Sequence, residues 1–259
     1  MNIILFAPEE FPAHAPAPAT LALPRADARA AHILDVLRRQ PGDTFDAGII
    51  DGPRGKGTLA AIAPAADGIP SLSLTFSWDN TEPPPLAPVT LIIGLPRPQT
   101  ARKILNDATT LGVSEMHFVT TARGEPSYAR STLWTTGEYR RHLAAGAAQA
   151  FCTRLPRVAF GATLDETLAA LAAAQPDARR VALDNYESPA PLGELLQSIP
   201  PAPAPLVFAL GSERGWTTAE RGQLRAAHFA FAHLGARVLR TETAATAALA
   251  LALAHLGRM

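Results

Sequence analysis

Residues 206–256, LVFALGSERGWTTAERGQLRAAHFAFAHLGARVLRTETAATAALALALAHL, leave little choice of architecture. The apolar run Leu206–Leu210 is too short for a helix and suits a buried strand. It breaks at Gly211-Ser212-Glu213-Arg214-Gly215, after which Thr217 or Thr218, with Glu220 close behind, signals a helix N-terminus. The theme repeats at once. Residues 229–234 form a second apolar run, Gly235 hinges the loop Ala236-Arg237-Val238-Leu239-Arg240, and Thr241 is placed to cap a helix that opens with Glu242. Two strand–loop–helix units in succession bring both glycine loops to one end of one sheet, where α/β proteins bind ligands. Glycine at 211, 215 and 235 lets backbone N–H groups approach such a ligand closely.

Upstream the same alternation runs from residue 89: strands are expected at 89–94, 115–119, near 158 and at 180–183, with helices at 99–111, 135–150 and 164–174. Strands alternating with helices predict a parallel sheet covered on its faces. The turn after the first of these strands reads Gly94-Leu95-Pro96-Arg97, without the G-x-G-x-x-G of a dinucleotide site.

Residues 79–88, DNTEPPPLAP, form a linker stiffened by consecutive prolines. Before it the pattern is β-rich. Strands are expected at 3–6, 44–50, 57–62 and 69–76, with a surface loop over 8–24 and one amphipathic helix over 27–39. That makes a small barrel-like module over residues 1–78, a linker over 79–88 and an α/β domain over 89–259.

The stretch 234–244, LGARVLRTETA, closely resembles the signature loop of the RsmE family, SPOUT-class methyltransferases of 16S ribosomal RNA. The earlier loop is similar to the family's IGPEGG, keeping Gly211, Glu213 and Gly215 and departing at Ser212 and Arg214. Leu111-Gly112-Val113, Arg123, Gln149 and Leu155-Pro156 also resemble it, as do His32, Val36-Leu37-Arg38, Gly42-Asp43 and Asp51-Gly52 in the first module. The resemblance implies a PUA-like RNA-binding domain followed by a SPOUT α/β domain with a trefoil knot. Periodicity alone draws an open sheet, since connections are almost never knotted. It also implies S-adenosylmethionine as cofactor, N3 of a uridine as methyl acceptor, and 16S ribosomal RNA or the small ribosomal subunit as partner. Leu210, Gly211, Glu213, Gly215, Leu234, Gly235, Val238, Leu239, Thr243 and Ala244 are then the expected cofactor residues. Arg240 and Glu242 are the expected catalytic residues, and Arg38, Arg97, Arg123 and Arg237 the expected RNA contacts.

Formal charge is zero, so no global basic field advertises nucleic acid. Only Lys56 and Lys103 among the basic residues are lysine. Arginine forks onto phosphates and stacks on bases, while the abundance of Ala and Pro also fits codon bias. The single cysteine, Cys152, excludes a disulfide framework, and histidines scattered from His14 to His255 show no metal-ligand spacing. The N-terminal sequence lacks the basic region of a signal peptide, and the uncharged run 243–256 is too short to span a bilayer, so a cytoplasmic protein is expected. The same run is apolar all round a helix, which predicts cover by a second copy in a homodimer. Two rivals stay open: a methyltransferase of this fold acting on another RNA such as transfer RNA, and an RNA-binding relative without catalysis.

Overall fold

Hydrogen bonding sorts the strands of the computed structural model into a five-stranded and a seven-stranded sheet. Residues 2–11, 18–64, 70–79, 81–198 and 204–259 are described. They divide into two units, Met1–Pro85 with Ala147–Leu155, and Leu86–Gly146 with Pro156–Met259. His14, Ile69 and Asn80, and residues 12–17 of the expected loop, lie outside the described residues.

The first unit contains β1 (Ile4–Phe6), β2 (Ala19–Pro24), α1 (Ala28–Ala31), β3 (Thr44–Ile49), β4 (Arg54–Pro64) and β5 (Pro70–Trp78), in sheet order β1-β3-β4-β5-β2. Leu72, Leu74 and Phe76 alternate with Ser71, Ser73 and Thr75 along β5, so one face fills a core with Phe6, Phe45, Leu59 and Ile33 while the other meets solvent. Gly57 lies opposite Phe45 because a Cβ there would stand 2.4 Å from its ring. Arg29 bonds Glu10 and Asp27 at 2.8 Å each and lies over the Phe6 ring, tying α1 to the edge of this core.

Two expectations for this unit are corrected. The loop over 8–24 ends in β2, whose Leu21 and Leu23 pair with Leu74 and Leu72 of β5; proline-rich flanks hid a strand that the apolar pairing holds. The helix over 27–39 starts as expected at the cap Asp27, then passes from α1 into a π-helical turn, His32–Val36, and stops at Arg38, whose φ is +54°.

The second unit runs β6 (Ala87–Gly94), α2 (Pro98–Thr110), β7 (Val113–Thr120), α3 (Thr132–Thr135), α4 (Tyr139–Gln149), β8 (Arg157–Thr163), α5 (Leu164–Ala174), β9 (Arg179–Leu183), β10 (Ala190–Pro191), α6 (Leu192–Gln197), β11 (Leu206–Leu210), α7 (Thr218–Ala226), β12 (Ala230–His233) and α8 (Thr241–His255). All pairs in its sheet, ordered β10-β12-β9-β11-β6-β7-β8, are parallel. The central strands are apolar almost throughout because helices cover both faces. On one face Ile92, Val119, Val207 and Ala209 meet Leu164, Leu168 and Leu171 of α5, Leu224 of α7 and Trp216. On the other, α8 returns from the neighbourhood of β12 over β11 and β6 to lie against α2.

Three local expectations change here. The helix over 135–150 is interrupted, α3 and α4 being separated at Thr136-Gly137-Glu138, where Gly137 adopts φ +74°. Between β9 and β11, β10 and α6 form where no element was expected. Arg240, in extended conformation, occupies the N-cap position of α8, so Thr241 is the first helical residue and is buried instead of capping.

Candidate functional site

Because β12, β9 and β11 are neighbours in the sheet, the loops leaving their C-terminal ends converge. They enclose a cavity of about 240 Å³, with Leu183, Asp184, Asn185 and Tyr186 from the first loop, 210–216 from the second, and His233, Leu234, Arg237, Val238 and Leu239 from the third. Thr241 and Ala244 of α8 complete the wall.

Each loop is fastened by its own chemistry. At the second, a Cβ on Gly211 would stand 2.8 Å from the Gly215 Cα, so the chain doubles back only because both are glycine, and Gly215 takes φ +64°. Glu213 Oε1 accepts from the backbone N–H of Arg97 at 3.1 Å, and the Arg123 guanidinium donates to the Arg214 carbonyl at 2.9 Å. Thr217 and Glu220 form a capping box at the start of α7, and the other Glu220 oxygen accepts from the Ala122 N–H at 2.8 Å. At the first loop, buried Asp184 takes the N–H groups of Tyr186 and Glu187 at 2.8 Å and the Arg221 guanidinium at 2.8 Å. Arg221 is buried too, so this pair sets the loop from below.

Among the described residues, two polar groups in the cavity wall have no partner: the hydroxyl of Ser212, a residue 7% exposed, and the indole N–H of Trp216. A buried unpaired donor costs about 1–3 kcal/mol, which a bound polar ligand relieves. On the rim stand Val238 and Tyr186, exposed at 82% and 81%, offering apolar surface to a flat ring. Glycine-lined backbone, apolar walls and unsatisfied donors suit the adenosine and amino-acid halves of S-adenosylmethionine.

Beside the cavity lies a second cleft of about 260 Å³, between Leu95, Arg97, Arg123, Gly124, Glu125 and Tyr128 on one side and 212–214 on the other. Ser212, Glu213 and Arg214 thus face both spaces.

Of the cofactor residues expected from sequence, Leu210, Gly211, Glu213, Gly215, Leu234, Val238, Leu239 and Ala244 line the cavity. Gly235 and Thr243 do not. A Cβ on Gly235 would meet nothing within 4 Å; glycine is required there by φ +103°, a backbone reason and not a steric one. Thr243 points from α8 to solvent. Arg237 lines the cavity, Arg97 and Arg123 line the second cleft, and Arg38 belongs to the first unit. Arg240 is exposed, and its guanidinium makes no hydrogen bond among the described residues. Glu242, 9% exposed, turns to Lys103 of α2 at 3.2 Å and not to the cavity. Burial raises its pKa, but its own backbone N–H, Lys103 and Arg240 outweigh that and leave it below the usual carboxylate range, which disfavours a role as base near neutral pH.

Sequence reading missed Leu183 to Tyr186 and His233. An Asp-Asn pair directly after a strand was the available signal, but without knowing that β9 lies between β12 and β11, nothing linked it to the glycine loops. Among the described residues no group of three His, Cys, Asp or Glu is placed to hold a metal, and no helix is long and apolar enough to cross a membrane.

The sequence model of the RNA methyltransferase domain family matches residues 82–253. Ribosomal RNA small subunit methyltransferase E of Treponema pallidum is 37% identical over 259 residues, covering 98% of this chain and 91% of that protein. The Synechocystis protein of the same name is 33% identical over 83% of this chain and 67% of its own length. Among solved structures, ribosomal RNA small subunit methyltransferase E of Neisseria gonorrhoeae, bound to S-adenosyl methionine, superposes with a TM-score of 0.73 at 22% identity over 97% of each chain.

Proposed function

The chain belongs to the ribosomal RNA small subunit methyltransferase E family, and from that membership we propose that it methylates N3 of a uridine in 16S ribosomal RNA with S-adenosylmethionine. The observation that carries this reading is the cavity at the β9, β11 and β12 ends, with its doubled glycine loop and the unpartnered donors of Ser212 and Trp216. Held by the glycine loop and the apolar cavity wall, S-adenosylmethionine would supply a methyl group on a sulfonium sulfur, a leaving group that is neutral once the methyl is lost.

The protein's share is to hold a nucleophile in line and to steady the charge it develops. Uracil N3 gives up its proton to the solvent or to a base as it takes the methyl, and negative charge gathers on the ring oxygens. Arg237, which lines the cavity, and Arg240, at the N-cap of α8, are the cations assigned to stabilise that charge. Lys103 and Glu242 hold the first turn of α8 against α2 and so place Arg240. Leu210, Leu234, Val238 and Leu239 line the cavity and would supply its apolar wall to the cofactor.

Incubating the protein with labelled S-adenosylmethionine and small ribosomal subunits that lack the modification should yield 3-methyluridine in 16S RNA, mapped by mass spectrometry of nuclease fragments. Label appearing only in transfer RNA, or in no RNA, overturns the reading.

A second copy of the chain is the proposed cover for α8. One face of that helix is buried through Ala245, Ala248, Leu249, Ala252 and Leu253, while Leu251, 39% exposed, and Ala254 lie on the other. A monomeric mass at micromolar concentration in sedimentation equilibrium rejects the dimer. The cytoplasm, where ribosomal subunits are made, is the proposed location.

A further inference from the structure

Resting on the function just proposed, the second cleft has a chemistry of its own. Its cations, Arg97, Arg123 and Arg214, come from three separate chain segments and outnumber its carboxylates, Glu125 and Glu213, and among the described residues Tyr128 is the only aromatic one on its wall. Tyr128 rides on a short 3-10 turn, Pro126–Arg130, started by Glu125, whose carboxylate accepts from the Ser127 N–H. Its ring is half-buried and meets no other aromatic ring among the described residues. The nearby aromatic cluster is built instead from Phe118, Trp134, Tyr139 and Phe160. A planar ring beside guanidinium groups is what an unpaired nucleotide needs, a face to stack on and cations for its phosphates. The buried Ser212 hydroxyl belongs to the wall shared with the cofactor cavity, so a base in the cleft is separated from the cavity only by the 212–214 loop.

We propose that this cleft receives the nucleotide next to the methyl-accepting uridine, its base stacked on Tyr128 and its phosphates held by Arg97 and Arg123, while the uridine itself reaches the cavity. Arg123 has a second task, because its hydrogen bond to the Arg214 carbonyl makes the position of the cofactor loop depend on the residue that grips the RNA. Tyr128 is a binding residue for the base and plays no part in holding the cofactor.

The test is a binding measurement that needs no turnover. Fluorescence anisotropy with S-adenosylhomocysteine present compares a short oligouridylate with an abasic oligonucleotide of the same length. The parent protein should prefer oligouridylate by about ten- to a hundredfold, the range that one stacked base contributes. Tyr128→Ala should erase that preference, Tyr128→Phe should keep it, and both should bind S-adenosylmethionine as the parent does by calorimetry. Arg97→Ala should weaken both oligonucleotides alike and flatten the salt dependence. Where Tyr128→Ala fails to fold, Tyr128→Leu keeps the apolar volume, lacks the ring and reads the same comparison. A folded Ala or Leu variant that retains the parent preference overturns the proposal, as does loss of cofactor affinity in step with RNA affinity. Methyl transfer to 16S RNA is measured separately, so an inactive parent refutes the function while the oligonucleotide preference still decides what the cleft binds.

Discussion

The carboxylate of Glu213 accepts a hydrogen bond from the backbone N–H of Arg97 at 3.1 Å, hanging the loop after β11 on the first turn of α2. A sequence separation of more than a hundred residues is closed by one charged cap. The bond satisfies an N–H at the head of α2 and fixes the loop that forms one wall of the cavity. Glu213→Ala should lower stability by about 1 kcal/mol, the usual worth of an N-terminal cap. Because that loop lines the cavity, the same variant should raise the calorimetric Kd for S-adenosylmethionine about fivefold. A Kd equal to that of the parent separates the cap from the site.

Gly211 and Gly235 are glycine for different reasons, and substitution should tell them apart. Gly211→Ala forces a Cβ to within 2.8 Å of the Gly215 backbone, so the loop must open. Overpacking of this kind costs about 1–3 kcal/mol, and it should appear as a ten- to hundredfold loss of cofactor affinity. Gly235→Ala meets open space but strains a φ of +103°. Its effect should be a lowered melting temperature with affinity nearly kept, and the reverse pattern in either variant contradicts the assignment.

Arg221 is buried against Asp184, which in turn organises the first loop through the N–H groups of Tyr186 and Glu187. Arg221→Ala leaves Asp184 a buried, unpaired anion, a change that typically costs about 3–5 kcal/mol. Chemical denaturation should show that loss, with a midpoint well below that of the parent. A loss under about 1 kcal/mol would mean that solvent reaches Asp184.

Acid sensitivity of the first unit should trace to Arg29. Its hydrogen bonds hold the carboxyls of Glu10 and Asp27 below their ordinary values of 4.5 and 3.8, burial opposing the shift in both. A lowered carboxylate pKa contributes stability that is complete above the ordinary value and is lost as pH falls through the folded one. The parent should hold full stability above about pH 5 and lose it progressively below pH 4.5. Arg29→Met should be weaker at neutral pH, toward the lower end of the about 1.5–3 kcal/mol typical of charged hydrogen bonds, because the Arg29 side chain is 27% exposed. Its acid limb, followed by circular dichroism, should be shallower. An identical limb in both proteins assigns the acid transition elsewhere.

Arg240 and Glu242 stand two residues apart and should fail differently. Arg240→Ala, removing an exposed guanidinium, should keep the parent's melting temperature and cofactor affinity and slow single-turnover methylation about 100- to 1,000-fold, the usual cost of losing a preorganised donor. Glu242→Gln should lose stability and keep most of the rate, since its carboxylate answers Lys103. Turnover by Arg240→Ala within a few-fold of the parent would make that arginine structural.

What could be read in advance followed local periodicity and turn chemistry. The strand at Leu206–Leu210, the capping box at Thr217 and Glu220, and the helix at Leu164–Ala174 are each determined within a few residues, and each appears as expected. The strand Ala19–Pro24 was obscured because its reason for existing, Leu72 and Leu74 across the sheet, lies about fifty residues away. The site shows the same division. Glycines with positive φ mark themselves, whereas Asp184 and Tyr128 join the cavity and the cleft only through a strand order that no local pattern encodes. Glu242 shows the converse: its place in a signature suggested chemistry, and the fold turns its carboxylate to Lys103 of α2.

Val89 of β6 pairs with Leu206 of β11, and the cavity closes only when Thr241 and Ala244 arrive on α8. During synthesis, therefore, β6 emerges from the ribosome long before the neighbour that completes its hydrogen bonding. A chain made only as far as β12 holds two of the three loops and lacks the wall from α8. Such sequence-distant pairing folds slowly and leaves apolar strands exposed meanwhile. Since a ligand stabilises only the state that binds it, cellular S-adenosylmethionine acts selectively on finished molecules, and nascent or truncated ones gain no such protection from proteolysis.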